Sequence, residues 1–426
     1  MTVFEVARPG AGGLFRHALP RTALRYGVSI AGPAAVSAAH FLASLAFLRA
    51  LPAQAFGLLS FVMVIAAFAM SAGSALIVLP INETLARGEP AIRAVCCKVG
   101  WLFCAAFAVL LAAALLSGGA GPAEAALLGL YGGVFAWRWF ARSTAYIDGN
   151  VGAAVASDLV YSAALTASLG ALGLGRRLDF AGSSEALLLS ALLALAPFGT
   201  GFFREQVMAL RSARLTGYLP LFRDITRWSL AGVALTELTV NAHAYLVTFL
   251  SGAQSFALLA LGMLLMRPAS LVQNALPDLE RPAMTRAIAV GDFKGLARIH
   301  RHFTLGLAAA WAGTAALAAG LLVFAPGLLL KKGYALHDVV VVAALSAAIM
   351  AVRTFRTPPA VLLQAAGRFK ALAGIGTISG VVSLAATLAI LLAFGPIASL
   401  GGVLLGEAVI LVRVVTLARH WRADHA

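Results

Sequence analysis

Twelve apolar runs, each about long enough to cross a bilayer, divide this 426-residue chain. No other feature constrains its fold as tightly, because a transmembrane helix needs about 20 predominantly apolar residues. Runs read between charged or Gly/Pro breaks predict spans at 26–48, 56–79, 94–117, 123–145, 151–174 and 183–203 in the first half. The second half supplies 227–250, 254–276, 303–328, 338–361, 371–394 and 397–418. The runs are rich in Ala, Leu and Gly and do not alternate with period two, which argues against membrane strands. Only 12% of the residues are charged while 61% are hydrophobic, about half the charge of a typical soluble domain. That balance excludes an ordinary soluble enzyme, a disordered chain and a collagen-like fibre. The expected fold is an all-α polytopic membrane protein, with about twelve helices in two pseudo-symmetric six-helix lobes around a central cavity.

The formal charge is +15, and its distribution gives an orientation. Assigning each Lys and Arg to its nearer side puts 27 on one side and 5 on the other. The five are Arg49, Arg176, Arg177, Lys331 and Lys332. Lys and Arg are retained in the cytoplasm, so both termini of this multi-pass chain are expected there. Topology thus accounts for the basic balance, and no nucleic-acid partner is expected. The chain divides into a cytoplasmic segment 1–25, a first lobe 26–203, an inter-lobe loop 204–226, a second lobe 227–418 and a tail 419–426. The longest loops, 204–226 and 277–302, face the cytoplasm, and no external loop is large enough for a catalytic domain.

Cys96, Cys97 and Cys104 fall in one apolar run without C-x-x-C spacing or a His pair. They form neither a disulfide framework nor a metal site, and read as small apolar helix residues. No cleavable signal, nucleotide-binding loop or nucleophile–base constellation is present. No metal, cofactor or catalytic residue is therefore expected.

The chain repeats itself. Ala53-Gln54-Ala55-Phe56-Gly57-Leu58-Leu59 opens span two, and Ala253-Gln254-Ser255-Phe256-Ala257-Leu258-Leu259 opens span eight. Leu79-Pro80 and Leu276-Pro277 close the same two spans. Ala136-Trp137-Arg138-Trp139-Phe140 in span four matches Ala351-Val352-Arg353-Thr354-Phe355 in span ten. Six crossings per repeat keep both halves in the same hand, a transporter arrangement with the substrate site between the halves.

Polar groups inside spans are costly and usually face a cavity. Ser29, Pro33, Ser37, His40 and Ser44 share one face of span one, and Glu237, Asn241, Tyr245 and Thr248 share one face of span seven. His243 lies off that face. Such stripes can line a wet cleft; equally, Ser and Thr can bond to their own helix and histidines can be satisfied in a core. Arg138, Arg267, Arg353 and Arg356 lie within or near the cytoplasmic halves of spans. Guanidinium groups suit phosphate, although they can also reach the headgroups or pair with carboxylates. Arg267 precedes Pro268 in mid-span, so a bend beside a cavity-facing cation is expected. Asp158, Glu237 and Glu407 are candidates for proton or sodium coupling, or for structural ion pairs. Glu407 is close enough in sequence to hold Arg413.

This pattern resembles the polysaccharide flippases (Wzx-type, O-antigen and exopolysaccharide exporters) of the multidrug/oligosaccharidyl-lipid/polysaccharide exporter superfamily. The resemblance is carried by Ala53 to Leu59, by Arg87-Gly88-Glu89 after span two, by Arg281-Pro282 and Gly291-Asp292 after span eight, and by Gly367-Arg368-Phe369-Lys370. It implies a V-shaped fold, alternating access and a lipid-linked oligosaccharide carried on undecaprenyl pyrophosphate. It also implies that Arg138, Arg267, Arg353 and Arg356 hold the pyrophosphate, while His40, Asn241 and His243 help to line a sugar cavity. The partners expected are that lipid, membrane lipids and polysaccharide polymerase machinery. A lipid II flippase typically has fourteen spans. A cation-coupled multidrug antiporter of the same superfamily calls for an acidic cleft. A major-facilitator carrier calls for a different loop at 82–90. A membrane polymerase or ligase needs a large external loop.

Overall fold

The computed structural model describes residues 19–81, 90–329 and 334–424. Most of the 1–25 segment, the Arg87-Gly88-Glu89 motif, Lys331, Lys332, the end of the tail and the Ser29 side chain lie outside what is described. The described residues form twelve membrane-length helices or broken helices. In the first half these are α1 Leu19–Ala50, α2 Ala53–Gly73, α3 Pro90–Ser117, α4 Pro122–Ile147 and α5 Val151–Leu174. The sixth is a pair, α6a Phe180–Leu193 and α6b Gly199–Ser212. The second half comprises α7 Arg227–Ser251, α8a Ala253–Leu265 with α8b Arg267–Ala289, α9 Phe293–Phe324, α10 Leu336–Ala365, α11 Phe369–Phe394 and α12 Leu400–Ala423.

Local sequence sets many of these boundaries. Asn150, Asp179 and Asp292 cap α5, α6a and α9 by accepting hydrogen bonds from the backbone N–H groups of Ala153, Gly182 and Gly295. Pro122 opens α4 at a position where its missing N–H has no helical partner to lose. Among the described residues, nine helices are apolar enough to cross a bilayer unaided, and two bent pairs make eleven. The twelfth is α4, where Arg138 and Arg142 dilute the hydropathy; both are buried against neighbouring helices. Two expected loops are largely helical: α6b extends to Ser212 and α8b to Ala289.

The halves repeat their packing. α1 packs on α5 as α7 does on α11, α4 on α6a as α10 on α12, and α5 on α6a as α11 on α12. This repeated set of neighbours defines the two six-helix lobes. The repeated sequence motif lies where the lobes meet, with α2 packed against α8a and α7. A Cβ on Gly57 would overlap the backbone carbonyl of Ala253, so glycine permits this approach. Phe61 then stacks edge-on against Tyr245, Phe249 and Phe256 across the junction.

Candidate substrate cavity

A cavity of about 510 Å³ lies between the lobes. Its floor is the expected face of α1: Pro33, Ser37, His40 and Ser44. The stripe on α7 contributes Asn241. Glu237 instead accepts hydrogen bonds from the Asn241 amide at 3.0 Å and the Tyr245 hydroxyl at 2.5 Å. α7 bends by 68° between the segments ending at Glu237 and starting at Val240, yet Glu237, Asn241 and Tyr245 stay on one face, joined by these hydrogen bonds. α2 and α8a supply much of the remaining wall, including Ser60, Met63, Met70 and Met263. The spacing of Met63 and Met70 by seven residues on α2 was the available signal; a thioether on an apolar helix ordinarily reads as core.

Three cations and one carboxylate line the cavity: Arg138, Arg142, Arg267 and Asp158. Arg138 and Arg142 are one helical turn apart, so both project from the same side of α4. Asp158 of α5 receives both, through an ion pair with Arg138 and one of 2.8 Å with Arg142. Arg138 also donates to Ser157 Oγ at 3.0 Å. Its guanidinium lies 4.7 Å from the Tyr161 ring centroid, and that of Arg142 lies 4.7 Å from Trp139. These ring faces favour the cations. A Cβ on Gly32 of α1 would overlap the Asp158 carboxylate, so α1 closes directly over the pair. Arg142 was absent from the candidates; its signal was the i, i+4 spacing to Arg138.

His40 anchors a second network. Its Nε2 is 2.8 Å from the Tyr161 hydroxyl, which is 3.1 Å from that of Tyr131. The ring is buried, with one edge at the cavity and the other against these phenols.

Arg267 lies at the break in α8. α8a ends at Leu265 and α8b starts at Arg267, with a 58° bend between them. Pro268 cannot donate the backbone hydrogen bond that would continue α8a, so the helix bends where expected. Among the described residues no carboxylate pairs with Arg267. Pro268, the next residue, lines a second, apolar cavity of about 390 Å³ between α1, α8a and α9. Leu264 lines both cavities, and Arg49 stands on the wall of the apolar one.

The remaining candidates lie elsewhere. Arg353 and Arg356 of α10 do not line the cavity; they pair with Glu407 of α12 at 2.7 and 3.0 Å. Glu407 therefore spans two helices instead of reaching along its own to Arg413, because burial makes a carboxylate seek the nearest buried cations. His243 is buried, and neither ring nitrogen has a hydrogen-bond partner among the described residues. It lies off the cavity-facing stripe, as its position in α7 predicts.

No family model matches the sequence, and no curated protein matches it. Solved structures do. The inward-facing conformation of a multidrug resistance MATE family transporter of the MOP superfamily matches with TM-score 0.62 and 12% identity, over 94% of each chain. The lipid II flippase MurJ in an inward closed conformation matches with TM-score 0.62 and 11% identity, over 92% of this chain and 87% of that one. A MOP superfamily transporter from Pyrococcus furiosus Vc1 (DSM3638) matches with TM-score 0.58 and 12% identity, over 94% and 95%. For that protein, reverse polarity of the binding pocket suggested a different function. At this identity the likeness establishes the fold: a multi-pass membrane bundle of the kind used by MOP superfamily transporters.

Proposed function

We propose that a chain with this fold and cavity is a transporter for an undecaprenyl-pyrophosphate-linked oligosaccharide. It moves that lipid from the inner to the outer leaflet of a bacterial inner membrane by alternating access, for exopolysaccharide or O-antigen synthesis. The observation that carries this reading is the cavity's charge: three arginines against one aspartate, with Arg267 unpaired among the described residues. A desolvated, unpaired cation is costly unless something neutralises it. A diphosphate does so, and guanidinium groups bind its oxygens through several fixed donors.

The other walls fit the rest of such a molecule. Ser37, His40, Ser44 and Asn241 offer hydrogen bonds to sugar hydroxyls. The apolar cavity beyond Leu264 suits a polyprenyl chain. Asp158 and Glu407 are each occupied by two arginines, whereas Glu237 is bonded to Asn241 and Tyr245. Glu237 is thus the preferred site for proton or sodium coupling. With both termini cytoplasmic, the flipped lipid is delivered to polymerase machinery on the far side. A cation-coupled multidrug antiporter shares the fold, but organic cations are repelled by this cavity.

The test is uptake of a labelled short-chain undecaprenyl-pyrophosphate oligosaccharide analogue into proteoliposomes. Wild type transports it, and Arg267→Ala lowers the rate by about tenfold or more, the scale of one lost charge-assisted hydrogen bond. No transport by wild type, with ion-driven efflux of organic cations, overturns the reading in favour of the antiporter.

A further inference from the structure

The segment 204–228 leads from the sixth span into α7 and carries five arginines: Arg204, Arg211, Arg214, Arg223 and Arg227. All five are exposed, and no carboxylate pairs with them among the described residues. The segment's acids do little to offset them. Glu205 is engaged by Arg93 at 2.6 Å, which leaves Asp224. Large apolar side chains of the same segment are exposed as well, notably Met208, Phe222 and Trp228, the last 66% exposed. The Arg227 guanidinium lies 4.8 Å from the Trp228 ring centroid.

The inner side of the segment is fixed. Gln206 and Ala209 of α6b are buried, and Lys98 of α3 donates to the Ala213 carbonyl at 2.9 Å. The Tyr218 hydroxyl donates to the carbonyl of Leu76, within a π-helical turn at Ser74–Val78 that extends α2. Burial pushes the Tyr218 phenol up to about 12, so it stays protonated as that donor. The open face is therefore held outward rather than left to collapse onto the bundle.

A fixed surface with exposed aromatic, aliphatic and cationic groups is poorly suited to water. Both ends of the segment enter membrane helices, so the leaflet beside it is the surface it always meets. Trp favours the level of the headgroups, aliphatic side chains the acyl boundary, and guanidinium groups the phosphates. We propose that 204–228 is an interfacial platform that binds anionic glycerophospholipid headgroups of the adjoining leaflet. Each surface arginine adds about a fivefold preference for an anionic membrane. The opposite side of the first lobe carries Arg49 at the end of α1 and Arg176 and Arg177 in the turn between α5 and α6a, three against five, so the preference favours the side of this segment. This does not depend on the identity of the cargo.

The test uses full-length protein in nanodiscs of phosphatidylcholine. Brominated phosphatidylglycerol or brominated phosphatidylcholine is added at equal mole fraction. The Trp228 signal is wild type minus Trp228→Phe. Brominated phosphatidylglycerol is expected to quench it at least about twofold more strongly than brominated phosphatidylcholine. The triple variant Arg211→Gln, Arg214→Gln, Arg223→Gln removes the excess, whereas Arg176→Gln with Arg177→Gln keeps it. Equal quenching by both lipids in wild type, or an undiminished excess in the triple variant, overturns the proposal. So does protection of Trp228 from both lipids, which means that a protein or nucleic acid covers the face.

Discussion

Each lobe solves the same electrostatic problem with different parts. In the first, Arg138 and Arg142 of α4 share Asp158 of α5; in the second, Arg353 and Arg356 of α10 share Glu407 of α12. The arginine-bearing helices are equivalent in the repeat, but the acid-bearing helices are not. α12 corresponds to α6, not to α5. The lobes also differ in desolvation. The Arg138, Arg142 and Asp158 side chains are 2%, 9% and 2% exposed, whereas Arg353 and Arg356 keep 19% and 22% around a fully buried Glu407. Only the first cluster lines the cavity. Two arginines per acid leave a net positive charge in each lobe, and in the first lobe that charge lines the cavity.

Removing the acids gives the largest effect. Asp158→Ala leaves two buried guanidinium groups uncompensated and is expected to cost about 3–5 kcal/mol, the range for breaking a buried pair. Glu407→Ala costs less, because water reaches its arginines. Thermal unfolding followed by a thiol-reactive dye measures both, since Cys96, Cys97 and Cys104 are free and buried. Equal losses would break the comparison. Next in size is a functional difference. Arg142→Gln should lower transport about tenfold while retaining most of the fold, since hydrogen bonds to charged groups contribute about 1.5–3 kcal/mol. Arg356→Gln should leave transport within about twofold of wild type, well inside that range. A reversed order in the proteoliposome assay would move the anion site to the second lobe. The smallest effect sharpens the role of His40. Tyr161→Phe removes the hydroxyl shared with His40 and Tyr131 and should destabilise by about 1 kcal/mol, one neutral hydrogen bond. If the same variant weakens substrate binding, read as a KM increase at constant maximal rate, Tyr161 also positions His40 at the cavity.

The spans were legible because hydropathy is local. Every expected span overlaps one described helix or bent pair. The break beside Arg267 was equally legible, since Pro268 removes a specific backbone hydrogen bond whatever surrounds it. The face of α1 was readable from helical spacing. So was the run of Glu237, Asn241 and Tyr245 on α7, whose side chains hydrogen-bond one another, but spacing did not show that of these three Asn241 is the one at the cavity.

The sequence by itself determined that this is a twelve-span, two-fold repeated membrane bundle, and which residues carry charge inside it. Only the tertiary structure decided which of those charges are neutralised and which line the cavity. Glu407 is six residues from Arg413, yet it pairs with Arg353 and Arg356 from another helix. Arg142 joins the cavity because α5 delivers Asp158 beside it, and Arg267 remains unpaired because no carboxylate among the described residues reaches it. Hydrophobicity acts along the chain within a turn or two. Ion pairing in a low-dielectric bundle is settled by which helices lie within a few ångströms of each other.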